Sequence, residues 1–355
     1  MQTRQLTTAT WLASCDLFQF KIRACAKGLP TALLGSLAVM LSSSVLSPAM
    51  AESQQQQQQQ SAAIKKQASY RVLECPEKFS IGKLYVLNNL DLTTPEINTN
   101  KAVREDAQGQ VRITQKGYSF LLGNYALGES LQPLQKLKGA DLQVLRLNKL
   151  TFNQSDLQYL TGLTGLQRIE LDSTDVDDKS LKILAKLPNL VFISMTRSLV
   201  TGKSLADLAP LKKLTVLQLG HNALCDGNLK GVAVITSLKA LRSQACQLRD
   251  KDLEPIGLLK GLESLTVHEN KSLTDKGIRY LAKMPNLHYL DIGQTSITAS
   301  GIKSLKNCPL TTIRIEIGQF KKEEIAQLKK VFPKAHIAVE NSGNRMDPTL
   351  FAPLH

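Results

Sequence analysis

Few side chains in this sequence have the types and spacing that chemistry needs. Glu170 and Asp172 alternate across Leu171, so a strand would put both carboxylates on one face. Paired carboxylates can serve as acid and base on a glycosidic bond, but no matching pocket is implied, and a hydrolase is a remote reading. His221 and His268 lie two repeat intervals apart, which is roughly 10 Å by strand spacing and too far for one metal ion without a third ligand. Cys75, Cys225, Cys246 and Cys308 show neither CxxC nor metal-ligand spacing. No G-x-S-x-G, P-loop, H-E-x-x-H or strand-following GxGxxG is present. The sequence therefore predicts no catalytic residue, no metal site, no cofactor and no enzyme. An active site within the irregular block 70–141 is the remote alternative.

What must position any functional side chain is a repeat. From Leu142 the pattern L-x-x-L-x-L recurs, with Ile, Val or Met at some of its positions. Its units start at Leu142, Leu166, Leu190, Leu214, Leu238, Leu262, Leu287 and Leu310, an interval of 24 residues that varies by no more than one. A degenerate ninth unit, Ile337-Ala338-Val339, keeps the register 24 residues after Ile313. A period this constant outweighs any single motif. One such unit cannot bury its leucines alone; stacked units close a continuous core. Hydrophobic residues make up 43% of the chain and aromatics only 5%, so that core rests on Leu, Ile and Val. Helical spacing follows each strand, as in Leu181, Leu184 and Leu187. Asp178, Asp250 and Asp275 are placed to cap these helices, and Pro188 and Pro285 to end them.

These residues resemble the leucine-rich-repeat family. Leu214-Thr-Val-Leu217-Gln-Leu219-Gly-His-Asn222 carries its L-x-x-L-x-L-x-x-N signature, and Leu287 to Ile302 follows a bacterial subtype reading L-x-x-L-x-L-x-x-T-x-I-T-D-x-G-L. The match departs at Ala299, where the subtype has Asp, leaving that helix start without its expected cap. The resemblance implies an α/β solenoid, a horseshoe with a concave parallel sheet and convex helices. Members of the family mostly bind proteins, and some bind glycans or lipids. The ninth position of each unit turns the chain, and Thr174, Ser198, Asn222, Cys246, Asn270 and Thr295 form a structural ladder there, with Leu150 and Gly318 departing at the two ends. Ser243 stands where a core leucine is expected.

Residues between the leucines point to the concave face. The candidate contact residues are Arg146, Arg168, Phe192, Arg197, Gln218, His221, Arg242, His268, Tyr289 and Arg314, with Phe192 and Tyr289 read as exposed aromatics. Arginines and aromatics are enriched where binding energy concentrates. A lone surface arginine is more often only a solvated charge.

Residues 1–51 read as a signal peptide: basic Arg4, Lys21, Arg23 and Lys27, an apolar run from Leu29 to Leu46, and a small-x-small cleavage site at Ala49 and Ala51. The run is shorter than the ~20 residues of a span, which favours cleavage over an uncleaved anchor. Leu12-Ala13-Ser14-Cys15 lacks the apolar run a lipoprotein box needs. Residues 52–69 contain the glutamine run Gln54–Gln60 and predict a flexible tether. Residues 70–141 predict a small β-rich N-terminal cap with strands near Ile81–Val86, Val111–Ile113 and Tyr118–Leu122. The repeat domain covers 142–340 and a tail 341–355. The expected protein is secreted or periplasmic, monomeric, and bound to a protein partner. The formal charge of +14 raises a second reading, an envelope or adhesion protein holding anionic glycan. The charge is scattered along the chain and not interleaved with aromatics, which argues against nucleic acid. Asn153-Gln154-Ser155 fits a glycosylation sequon.

Overall fold

The computed structural model describes residues 70–341 apart from 93, 95, 96, 101, 115, 116 and 225. The described residues all fall within one compact unit. The expected signal peptide, glutamine tether and all but the first residue of the tail lie outside the described residues, as does Cys225. Among the described residues no helix is long and apolar enough to cross a membrane.

The leucine pattern forms one sheet of twelve strands. Its repeat strands are β6 (Val144–Arg146), β7 (Arg168–Glu170), β8 (Phe192–Ser194), β9 (Val216–Gln218), β10 (Ala240–Arg242), β11 (Ser264–Thr266), β12 (Tyr289–Asp291), β13 (Thr312–Glu316) and β14 (His336–Glu340). All pair in parallel and without slip: Leu145 faces Ile169, Ile169 faces Ile193, Ile193 faces Leu217, and so on to Ile313 and Ile337. Every residue in that row is buried, most of them fully, in one continuous hydrophobic core. The α/β solenoid of the sequence reading is therefore the architecture found.

The N-terminal block joins this stack instead of merely covering it. β5 (Tyr118–Gly123) runs parallel to β6, with Leu121 opposite Leu145. The solenoid thus begins one coil before Leu142, and the 24-residue step extends backwards into the block read as cap. Gly123 occupies the sixth position of that coil, where a side chain would collide with Leu147 and Leu127. This is why the pattern fades there: the core residue is a glycine. β2 (Gly82–Leu87) and β3 (Val103–Asp106) then add antiparallel strands at that edge, and β1 (Tyr70–Glu74) pairs with β4 (Gln110–Thr114) in a separate two-stranded sheet. β1 and β3 carry no clean alternation and were not expected from sequence. Arg71 of β1 ties the small sheet down, donating to Ala140 O at 2.6 Å, Ser119 Oγ at 2.5 Å and Gln143 Oε1 at 3.2 Å.

The convex layer is helical, but several of its segments, among them Gln154–Leu160, Leu205–Leu208 and Asn228–Val234, are 3₁₀. The α-helical ones include Asp178–Leu184, Leu253–Gly257, Asp275–Ile278 and Ala299–Lys303. Two of the 3₁₀ segments, those following Ser204 and Gly227, begin without a side-chain cap. A 3₁₀ turn spans more length per residue, which lets a short segment reach across the coil.

The aspartates read as helix caps do something else. The capping residues are Asp177, Thr274 and Thr298. Asp178, Asp250 and Asp275 follow the turn and reach to the next coil. Asp178 accepts from Thr201 N and Oγ1 (3.2 and 2.5 Å) and from Gly202 N at 3.0 Å. Asp250 accepts from Thr274 N and Oγ1 (2.8 and 2.7 Å), and Asp275 from Thr298 N and Oγ1 (2.8 and 2.7 Å). These carboxylates are struts between coils. Ala299 therefore leaves no helix uncapped, since Thr298 accepts from Ser300 N and Gly301 N. What Ala299 lacks is the strut to the degenerate coil that follows.

Candidate binding surface

The ladder position has a clear physical task. The strand ends must turn, and the turn leaves backbone groups inside the core that need partners. Asn270 Oδ1 accepts from Cys246 N and Leu248 N, both at 2.9 Å, while its Nδ2 donates to Ser243 O and Val267 O at 2.9 and 2.8 Å. Asn222 accepts from Ser198 N at 2.7 Å and donates to Met195 O at 2.7 Å. Thr174, Ser198 and Thr295 return one hydroxyl each to the carbonyl three residues back, at 2.6, 2.9 and 2.7 Å. Cys246 Sγ lies 3.1 Å from Leu219 O, and burial pushes its thiol up to about 12. In the eighth unit Gln319, one residue beyond Gly318, takes over and donates to Ile292 O at 3.2 Å. Reading only the ninth column misses it. Ser243 is fully buried, with its hydroxyl 3.4 Å from Thr266 O, so the odd core residue bonds to the neighbouring strand.

The residue before the ladder adopts the left-handed region in seven successive units: Lys149, Ser173, Arg197, His221, Ala245, Glu269 and Gln294 all have φ between 51° and 62°. None is glycine. The turn lifts these side chains to the rim of the concave sheet, and Lys149, Ser173 and Arg197 are exposed there.

Most of the other candidate residues are not exposed. Phe192 and Tyr289, read as exposed aromatics, are buried, as are Arg168, Arg242 and Arg314. The cause is lateral packing. Strands about 4.8 Å apart press their columns together, and long side chains lie flat along the sheet. Phe192, Val216 and Ala240 form an apolar row of their own on this face. The Arg168 guanidinium stacks on Phe192 at 3.7 Å from the ring centroid. It also donates to Glu170 Oε1 at 2.7 Å and to Thr94 O at 2.5 Å.

That last bond identifies what covers the N-terminal end. The loop from β2 to β3 folds over the first coils, with Leu90, Ile97 and Ala102 packed on Leu87, Phe120 and Val144. Arg146 lies 5.2 Å from the Phe120 ring and donates to both oxygens of Glu170, at 2.5 and 3.1 Å. Glu170 is thus held between two arginines and has no free role as acid or base. Asp172 accepts from Ser194 Oγ at 2.5 Å, Thr196 N at 2.8 Å and Asn148 Nδ2 at 3.4 Å. Burial raises its pKa, against those hydrogen bonds.

The C-terminal coils are neutralised in the same way. Arg314 pairs with Glu340 and donates to Tyr289 Oη at 3.2 Å. His268 Nδ1 lies 3.1 Å from Asp291 Oδ2, and its Nε2 lies 3.4 Å from Glu269. Arg197 Nη2 lies 3.5 Å from His221 Nε2. A guanidinium can only donate, so a hydrogen bond here requires that ring nitrogen to accept, which the neutral imidazole alone can do. Burial, then the Arg197 charge, holds His221 below its ordinary value. Among the described residues no group of three His, Cys, Asp or Glu side chains could hold a metal ion. Cys75, Cys246 and Cys308 are buried free thiols.

The middle coils differ. Gln218 Nε2 and Gln244 Oε1 are buried and have no hydrogen-bond partner. Gln244 lies across Gly220, where any side chain would overlap its amide. Both glutamines are only half-buried overall, so their remaining surface faces the concavity. Burial lowers the nearby Arg242 guanidinium to about 9. Sequence reasoning placed Gln218 among the candidates and left Gln244 out, because a glutamine gives no signal of whether its amide is satisfied. A cleft of about 960 Å³ lies elsewhere, on the convex side between Lys230 and Pro255, with carboxylates and cations interspersed.

No family model matches the chain, and no curated protein is similar to it. Among solved structures, internalin C2 of Listeria monocytogenes str. 4b F2365 is 23% identical, covering 65% of this chain and 89% of its own, with a TM-score of 0.38. Internalin F of the same strain is 17% identical, covering 62% of this chain and 82% of its own, with a TM-score of 0.34.

Proposed function

We propose that the chain is an exported, non-enzymatic binding module, and that a protein partner seats on the concave sheet from β8 to β12. The observation that carries this reading is the pair of unpartnered amide atoms on Gln218 and Gln244. Leaving a buried donor or acceptor unmade costs about 1–3 kcal/mol, which a partner's polar groups would recover. The surroundings suit a protein: an apolar row of Phe192, Val216 and Ala240, a buried Tyr289, and Arg197, His221 and His268 at the rim. The end coils contribute shape but little charge, since their arginines are already paired within the sheet. That pairing counts against a polyanion in the concavity. The leader at 1–51 supports export.

The test is affinity capture from the native envelope fraction with three forms of the chain. Gln244→Arg combined with Arg197→Glu should abolish capture, whereas Lys182→Glu on the convex helix should leave it intact. Capture that survives the concave double variant would remove this face from consideration.

A further inference from the structure

A charge pattern invisible along the chain emerges once the coils are stacked. Each coil has two lateral edges, one where the chain leaves the strand and one where it enters the next. On the strand-entry edge of the described residues, between each helix end and the following strand, the carboxylates are Asp141 and Glu263 alone, and both are occupied: Asp141 accepts from Lys138 N at 2.7 Å and Glu263 pairs with Lys239 at 2.7 Å. The same turns carry exposed Lys138, Lys186, Lys213, Lys260, Lys283 and Lys306, none of them in an ion pair. The strand-exit edge carries acidic and basic residues in near balance, including the strut aspartates.

Adjacent turns on the basic edge touch. Asn189 Nδ2 donates to Thr164 O at 2.8 Å, Lys213 Nζ to Asn189 Oδ1 at 2.6 Å, and Asn286 Nδ2 to Lys260 O at 2.8 Å. Lysines therefore recur from turn to turn along this edge without holding one position in every coil. Four residues before each repeat start, the column reads Lys138, Gly162, Lys186, Pro210, Val234, Leu258, Lys283 and Lys306. Its middle is aliphatic and open: Val234 is 50% and Leu258 60% exposed, with Tyr280 of the next helix 41% exposed beside them.

Helix-end capping accounts for part of this, since Lys212 Nζ donates to Ala209 O at 2.8 Å and Lys260 Nζ to Gly257 O at 3.1 Å. It accounts neither for the scarcity of carboxylates within these turns nor for two bare aliphatic side chains between lysine-bearing ones. A soluble polyanion would be read by charge alone and would gain nothing from Val234 and Leu258. An aliphatic wedge rimmed by lysines is the pattern that sits at the boundary of headgroups and acyl chains. We propose that this edge docks the solenoid on an anionic lipid bilayer, with Val234 and Leu258 entering the interface and the lysines meeting acidic headgroups. This surface is separate from the concave face.

The test is co-sedimentation of the full chain with phosphatidylcholine vesicles, with and without phosphatidylglycerol. Each lysine near an anionic surface contributes roughly a five-fold factor in affinity, so Lys283→Glu with Lys306→Glu should lower binding to the anionic vesicles at least about ten-fold. Val234→Ser with Leu258→Ser should also weaken it while preserving its salt dependence. All four residues are exposed, so unchanged thermal unfolding should accompany both results; Lys186→Glu with Lys213→Glu stands in if the first pair fails to fold. Equal binding by wild type and both double variants would overturn the proposal, because the leader would then carry the whole effect. So would loss in the lysine variant alone, with full competition by soluble polyglucuronate, which would assign the edge to a glycan.

Discussion

At the residue scale, the structure turns on small side chains whose purpose a single sequence does not disclose. Gly277 is an example. It looks like a weak point in a helix, yet a methyl group there would stand 2.6 Å from Asp250 Oδ1 and 2.8 Å from Asp250 Cα. The glycine makes room for the strut that bonds Thr274. Gly277→Ala should destabilise by about 1–2 kcal/mol, overpacking outweighing the gain in helix propensity. Gly162→Ala, with nothing within 4 Å, should be neutral or slightly stabilising. Chemical denaturation of the two variants checks the difference, and equal midpoints would contradict the strut. His221 offers a second test at this scale. Burial and Arg197 hold its folded-state pKa below the ordinary value of about 6.5. The unfolded chain then binds the proton more readily, so the contribution to stability is present above that value and is lost as pH falls through the folded-state one. NMR titration should find the His221 midpoint raised by Arg197→Gln. A midpoint that stays put would leave burial as the whole cause.

At the scale of the element, the strand, its turn and a helical second half were legible in sequence, and which of those helical segments would be 3₁₀ was not. Nine parallel strands follow from one period, because the alternation of leucines decides which face is buried and a slip would turn every leucine outward. The convex segments obey weaker rules. Their leucine spacing suits a 3₁₀ turn as well as an α-helix. The ladder also ranks its own members. Asn270 bonds four buried backbone groups, whereas the Thr295 hydroxyl donates to Ile292 O and makes only one further, long backbone contact, accepting from Ile297 N at 3.4 Å. Asn270→Ala should cost about 2–4 kcal/mol, since it strands several buried groups, and Thr295→Ala about 1 kcal/mol. In a stacked array the damage is local, so hydrogen exchange in the Asn270 variant should quicken in β10 and β11 before β7 responds. Uniform acceleration along the sheet would mean that the coils unfold as a single unit.

At the scale of the whole molecule, periodicity hides as much as it reveals. A linear reading finds the lysines scattered, because they fall one or two to a coil; only when coils are superimposed does one edge lose nearly all its carboxylates. Arg168, Phe192, Arg242, Tyr289 and Arg314 are buried for a related reason: alternation says which way a side chain points but not how tightly its neighbours in adjacent coils close over it. The N-terminal loop that covers Phe120 and Val144 carries no pattern of its own, and nothing in its sequence announces its target. The two ends of the solenoid are consequently closed by unequal means. The N-terminal end has β2 and β3 extending the sheet, the β1–β4 pair behind it, and Arg71 and Arg168 anchoring both. At the C-terminal end β14 is the edge strand among the described residues, beside the helix Lys322–Val331, of which only Leu328 is buried. That end also lacks the strut that Ala299 removes. In a linear array each coil is held by its neighbours, so the end with fewer contacts should open first. Native-state hydrogen exchange should therefore find His336–Glu340 and then Thr312–Glu316 exchanging before Tyr118–Gly123. Arg314→Gln, which removes the partner of Glu340, should widen that gap without affecting β5. If β5 exchanges first, or both ends exchange together, the cap contributes no stability to the stack and its work lies in covering the sheet.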